Sequence, residues 1–184
     1  MKKLMMIAVM SLLSMGAFAQ AGKFSVGANA GVALYGNQYN PFGIGAKLQY
    51  EFVESFRAEA AYNYWFSKTE NVLGHDYKAG LMDIDLNLQY LIPAMDKLYI
   101  YPLVGVNLGI THGDGDSESI FGFQGGAGVE YYLSDNIKVN FDVKYQYNKK
   151  TKTVEYRSDD VYVKSEGEMK YDGPVFQVGI AYVF

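Results

Sequence analysis

Two histidines, His75 and His112, are the natural acid–base groups of this 184-residue chain, which has no cysteine. His75 precedes Asp76, and His112 is followed by Asp114 and Ser117. Covalent catalysis needs a nucleophile, a base in hydrogen-bond reach and a group that orients the base. His75 and Asp76 make a poor pair, because neighbours in extended chain point to opposite sides. Gly-x-Ser-x-Gly elbows, phosphate loops and dinucleotide fingerprints are missing from the sequence. Neither histidine has a second histidine at metal-ligand spacing. The stretch Thr111–Glu118 clusters Asp114, Asp116 and Glu118, a set that suits calcium, but without the twelve-residue spacing of a true calcium loop. The expectation is a protein without enzymatic activity, cofactor or metal centre. An enzyme acting on lipid or protein through His112 stays as the minor alternative.

The remaining charges are patterned rather than clustered. In Ile137-Lys138-Val139-Asn140-Phe141-Asp142-Val143-Lys144-Tyr145-Gln146-Tyr147 every odd position is apolar or aromatic and every even one polar. Period two is the mark of a strand with one oily and one polar face. The pattern recurs over Phe24–Leu34, Phe42–Phe52, Phe56–Phe66, Met82–Leu91, Leu98–Ile110, Phe121–Leu133, Ile137–Tyr147 and Val175–Phe184. The polar faces carry Lys47, Glu51, Arg57, Glu59, Asp83, Asp85, Glu130, Lys138, Asp142 and Lys144, interspersed with Gly27, Gly31, Gly43, Gly45, Gly105, Gly109, Gly126, Gly128 and Gly179. Glycine weakens a strand unless something crowds it, and the interior of an eight-stranded barrel is just wide enough for packed side chains. Folding the Val53–Ser55 turn sets Glu51 opposite Arg57, and the Ser134–Asn136 turn is expected to set Glu130 against Lys138.

The oily faces carry no charge in any core strand. Tyr50, Phe52, Phe56, Tyr90, Tyr131, Tyr182 and Phe184 gather at one end, and Phe42, Tyr64, Phe66, Phe121, Phe123, Tyr145, Tyr147 and Phe176 at the other. An aliphatic band between two aromatic girdles meets lipid. Eleven tilted residues span roughly 25 Å, the height of that band. Tight connections (Val53–Ser55, Ile92–Lys97, Ser134–Asn136) alternate with longer ones (Tyr35–Pro41, Ser67–Leu81, Thr111–Ile120, Asn148–Pro174), the habit of an up-and-down meander. Open edges leave unpaired backbone in hydrocarbon, so the last strand must pair with the first. The fold expected is all-β: a closed eight-stranded antiparallel up-and-down transmembrane β-barrel. Pro102 lacks a donor, and irregular pairing or a bulge is expected around it.

The chain opens Met1-Lys2-Lys3, runs apolar to about Met15, and reaches Ala17-Phe18-Ala19. A basic start, a short apolar run and a small-x-small site describe a cleavable signal peptide, with cleavage after Ala19. Residues 1–19 are then leader and 20–184 the barrel domain. Loss of Lys2 and Lys3 takes the formal charge from −4 to −6. An acidic chain argues against nucleic acid as a partner, since that needs a basic footprint.

The meander, the Gly-rich stretch Gly122–Tyr132 and the ending Phe176-Gln177-Val178-Gly179-Ile180-Ala181-Tyr182-Val183-Phe184 together resemble the small outer-membrane barrels of the OmpX and OmpA-barrel type. The resemblance covers essentially all of residues 20–184. It implies the outer membrane of a Gram-negative bacterium with both termini periplasmic, and contact with membrane lipid and lipopolysaccharide. It also implies that Phe176, Val178, Ile180, Tyr182 and Phe184 form a C-terminal signal read by the barrel-assembly machinery. The resemblance does not extend to the peptidoglycan-binding domain of full-length OmpA-group members, so that part of their function is not expected here.

The segment Asn148–Gly173 keeps period two on both sides of Ser158-Asp159-Asp160, which describes a projecting hairpin. Its edge can accept a strand from an extracellular protein partner, and Lys149, Lys150 and Lys152 can meet lipopolysaccharide phosphates. A structural or surface-interaction role through the loops is the leading expectation. A narrow channel for ions or small solutes is the alternative.

Overall fold

A computed structural model of the protein describes residues 22–35, 40–66, 70–72, 75–77, 80–112, 117–158, 161–170 and 172–184. The expected leader and its expected cleavage site at Ala17 and Ala19 lie outside them. The described residues form twelve strands: β1 (Lys23–Ala33), β2 (Phe42–Val53), β3 (Phe56–Trp65), β4 (Glu70–Val72), β5 (His75–Tyr77), β6 (Gly80–Tyr90), β7 (Ile92–Met95), β8 (Leu98–His112), β9 (Ser117–Tyr132), β10 (Ile137–Ser158), β11 (Val161–Lys170) and β12 (Gly173–Val183). No helix among them is long and apolar enough to cross a membrane.

Eight strands close the barrel. Each of β1, β2, β3, β6, β8, β9 and β10 pairs antiparallel with the next, β10 pairs with β12, and β12 returns to β1 from Ser25↔Val183 to Ala33↔Val175. Closure removes every edge from the wall, as hydrocarbon demands.

Orientation is settled by an inversion of ordinary burial. Along β3 exposure alternates at every residue: Phe56, Ala58, Ala60, Tyr62 and Tyr64 face out, while Arg57, Glu59, Ala61, Asn63 and Trp65 face in. Arg57 is 0% exposed and Glu130 1%, whereas Val104 is 61% and Phe123 62%. A protein in water has no reason to bury its ions and expose its aliphatics; one in lipid has both. The girdles also form. Phe56 and Tyr90 rings lie 5.0 Å apart and Tyr182 and Phe184 5.0 Å apart at the turn end. Tyr64 and Phe66 at 5.2 Å and Phe121 and Phe123 at 5.4 Å mark the loop end. Tyr50 and Phe176 are half-buried members.

One expectation is met and two need correction. Pairing is irregular at Pro102, where the ladder breaks without a bulge at that residue. Pairing of β6 with β8 stops at Gln89↔Leu103 and resumes between β7 and β8 at Ile92↔Ile100 in unchanged register. Proline has no N–H to return to Tyr90, so one rung is lost while the strands stay aligned. On the other side Pro102↔Ala127 pairs within an unbroken ladder. The Ile92–Lys97 connection is mostly strand, leaving Asp96 and Lys97 as a two-residue turn with Lys97 at φ 63°. Lastly, Lys138 pairs with Tyr132 and Glu130 with Asn140, so Glu130 and Lys138 are diagonal neighbours rather than opposites.

Candidate functional site: the filled lumen and the projecting hairpin

The polar faces of all eight barrel strands converge on one interior, stacked in levels. At the turn end, Arg57 Nη1 lies 2.6 Å from Glu130 Oε2 and 3.7 Å from Glu51 Oε1, and Lys138 Nζ lies 3.4 Å from Glu130 and 3.7 Å from Glu51. Glu51↔Arg57 are register partners, as the turn requires. Arg57 Nε donates to Gln89 at 2.6 Å, and its guanidinium stacks 5.0 Å from the Tyr101 ring centroid. The planar guanidinium meets two carboxylates, an amide and an aromatic face through Nη1, Nε and its π surface, while Nη2 has no hydrogen-bond partner among the described residues.

Midway, the Tyr101 hydroxyl donates to Asp142. Asn140 donates to Asp142 at 2.6 Å, and Lys47 Nζ donates to Asn140 Oδ1 at 2.6 Å. Glu59 accepts from Gln49 at 2.7 Å and Asn87 at 3.0 Å. Nearer the loops, Lys144 Nζ pairs with Asp85 at 2.6 Å, Asn63 donates to Asp85 at 3.0 Å, and Trp65 Nε1 donates to Asp83 at 2.7 Å. Above them Ala33, Tyr35, Trp65, Leu81 and Val175 form an apolar plug, and the Tyr35 hydroxyl donates to Gln146. A second cluster, Leu91, Tyr101 and Leu103 with Tyr99 against it, packs toward the turn end.

All ten ionisable residues expected in the lumen are there, but ion pairs within 4 Å join only Arg57, Glu51, Glu130, Lys138, Lys144 and Asp85. Lys47, Glu59, Asp83 and Asp142 are held by neutral donors and acceptors. Those amides and phenols were not singled out by spacing. The usable signal was the run of Asn and Gln on the same faces: Asn29, Gln49, Asn63, Asn87, Gln89, Gln124, Asn140 and Gln146 all point in. Glycine supplies the room for the largest rings. A Cβ on Gly43 would come within 2.4 Å of the Trp65 ring, and one on Gly128 within 2.4 Å of the Tyr101 ring.

Outside the wall, β10 runs 22 residues. At about 3.3 Å per residue that is roughly 70 Å of strand, far more than the bilayer takes. Its pairing with β12 reaches Gln146↔Gly173, and pairing with β11 takes over at Lys149↔Lys170 in the same register up to Ser158↔Val161. On the other side β9 pairs with β10 as far as Gly122↔Asn148, and continues with β8 to His112↔Ser117. Among the described residues, the hairpin therefore rises with both edges unpaired. The expected hairpin over Asn148–Gly173 is present. His112 and Ser117 are cross-strand partners at the tip of β8–β9, Asp114 and Asp116 lie outside the described residues, and His75 is on the short hairpin β4–β5. No group of three or more metal-ligating side chains occurs among the described residues.

A closed wall with lipid-facing aliphatics, aromatic girdles and an ion-filled interior defines an integral outer-membrane β-barrel. The chain belongs to the outer membrane protein beta-barrel domain family, whose model matches residues 5–184. None of the curated proteins matched it by sequence. In fold it is similar to Neisserial surface protein A (14% identity, TM-score 0.63, covering 88% of this chain and 96% of that one). It is similar also to OprG of Pseudomonas aeruginosa (18%, TM-score 0.63, 89% and 96%). A third likeness is to Ail, the attachment invasion locus protein of Yersinia pestis (18%, TM-score 0.51, 89% and 97%).

Proposed function

We propose that this protein is a non-enzymatic outer-membrane protein that works through its projecting hairpin, with the barrel as a sealed anchor. The observation that carries this reading is the contrast between its two halves. Inside, Arg57, Trp65, Tyr101 and Lys138 are fully buried, and Arg57 reaches Glu130 across the lumen, a filling that speaks against the open water path a channel needs. Outside, β10 and β11 present unpaired strand edges, the means by which main-chain hydrogen bonds capture an extended partner. The solved structure of an attachment protein with this fold supports a surface role.

In this reading the tight turns and both termini face the periplasm and the hairpin faces the medium, where Lys149, Lys150 and Lys152 meet lipopolysaccharide phosphates or an extracellular protein. Residues 1–19 are removed after Ala19. The assembly machinery recognises the outward row Phe176, Val178, Ile180, Tyr182 and Phe184. Planar-bilayer recording tests the sealed lumen. The expected result is silence at moderate voltage, and a stable, size-selective current would replace this reading with the narrow channel.

A further inference from the structure

We propose that the lipid-facing wall holds one glycerophospholipid, its acyl chain in a slanted groove across β1, β12, β10, β9 and β8 and its phosphate at Lys97. A closed barrel's outer wall is convex, so a groove in it must come from unequal side chains. Here the floor is low because Ala28, Ala30 and Val139 are short, and the walls stand high at Phe141, Val178 and Ile180. The cavity measures about 760 Å³, within the roughly 300–1,000 Å³ of ligand clefts.

One row of register partners runs along its edge, with Ile180 as the wall residue on β12: Ala28↔Ile180, Ile180↔Val139, Val139↔Tyr131, Tyr131↔Leu98. Ala28 lies in the middle of β1, whereas Leu98 is the first residue of β8. Barrel stagger thus carries the row from mid-wall to the turn edge, the path of an acyl chain from bilayer centre to headgroup. Leu98 adjoins Lys97, exposed on the two-residue turn, with Asp96 beside it. An ammonium next to a carboxylate at the polar edge complements the phosphate and amine of a zwitterionic headgroup. A second copy of the chain is the poorer occupant. Its own convex wall would rest on Phe141, Val178 and Ile180 and leave the alanine floor empty, while a polymethylene chain reaches it.

The test places the protein in nanodiscs containing phosphatidylethanolamine with a diazirine on one acyl chain, followed by photolysis and mapping of the adducts by mass spectrometry. Adducts are expected to concentrate on peptides containing Ala28–Ala30, Val139–Phe141 and Val178–Ile180, several-fold above the opposite wall at Ile84–Leu88. Ala28→Leu with Ala30→Leu should erase that excess, and Lys97→Glu should lower it. Even labelling around the wall overturns the proposal, and so does an excess unchanged by filling the floor. Disulfide-linked copies of a Val178→Cys variant under mild oxidation, in place of lipid adducts on the wild type, would assign the groove to a dimer. If the double variant does not fold, the wild-type distribution and Lys97→Glu decide.

Discussion

Arg57 on β3 and Glu130 on β9 meet at 2.6 Å although β6 and β8 separate their strands in the wall. The contact crosses the lumen and ties opposite sides of the cylinder together, with Lys138 and Glu51 completing the cluster. Both partners are fully buried. Truncating Arg57 leaves two buried carboxylates, Glu130 and Glu51, sharing the single cation Lys138. Arg57→Ala is expected to destabilise by about 3–5 kcal/mol, read as a lower urea midpoint of the barrel folded in lipid vesicles. Arg57→Met with Glu130→Leu removes both charges and should recover most of that loss. A double variant as weak as the single one would mean that the pair is not the source of the effect.

Gly43 leaves space for Trp65, whose indole N–H is anchored on Asp83 at 2.7 Å. Gly43→Val is expected to lower stability by about 1–3 kcal/mol through overpacking. Adding Trp65→Leu should restore part of it by vacating the clash. Tryptophan fluorescence, with a single Trp in the chain, reports the displacement directly.

Val104 faces the bilayer near the middle of β8, opposite Gly125 and Leu88. Val104→Arg should cost about 2–4 kcal/mol at the midplane. Val104→Leu should change little. Equal stability of the two variants in vesicles would contradict the outward orientation of this strand.

Pro102 leaves one missing rung against Tyr90. Pro102→Val supplies the absent donor in unchanged register and is expected to stabilise the barrel by about 0.5–1.5 kcal/mol. The new amide at position 102 should exchange as slowly as its neighbours in β8. Fast exchange there would show that the gap is not caused by the imino acid.

Barrel pairing of β10 with β12 is complete by Gln146↔Gly173, before the hairpin begins. Replacing residues 149–170 by a short turn should leave heat-modifiable gel migration and the urea midpoint intact. Binding of whole cells to protein-coated or host-cell surfaces is expected to fall to the level of cells lacking the protein. Retained binding would move the surface role to another loop.

Strand positions, facing and girdles were legible in the chain because period two is a local property: each residue's face follows from its neighbours. The pairing Glu51↔Arg57 was legible for the same reason, since a tight turn transmits register over a few residues. The hairpin over residues 148–173 showed itself through alternation on both sides of Ser158–Asp160. By itself, then, the sequence determined a β-barrel wall, its lipid side and a row of ions inside. Only closure decided which ions meet. Arg57 with Glu130, Tyr101 with Asp142, and Lys144 with Asp85 are 73, 41 and 59 residues apart. Their encounter depends on the accumulated stagger of eight strands, which no short window contains. The slanted groove from Ala28 to Leu98 depends on that same stagger, and so belongs to the tertiary structure alone.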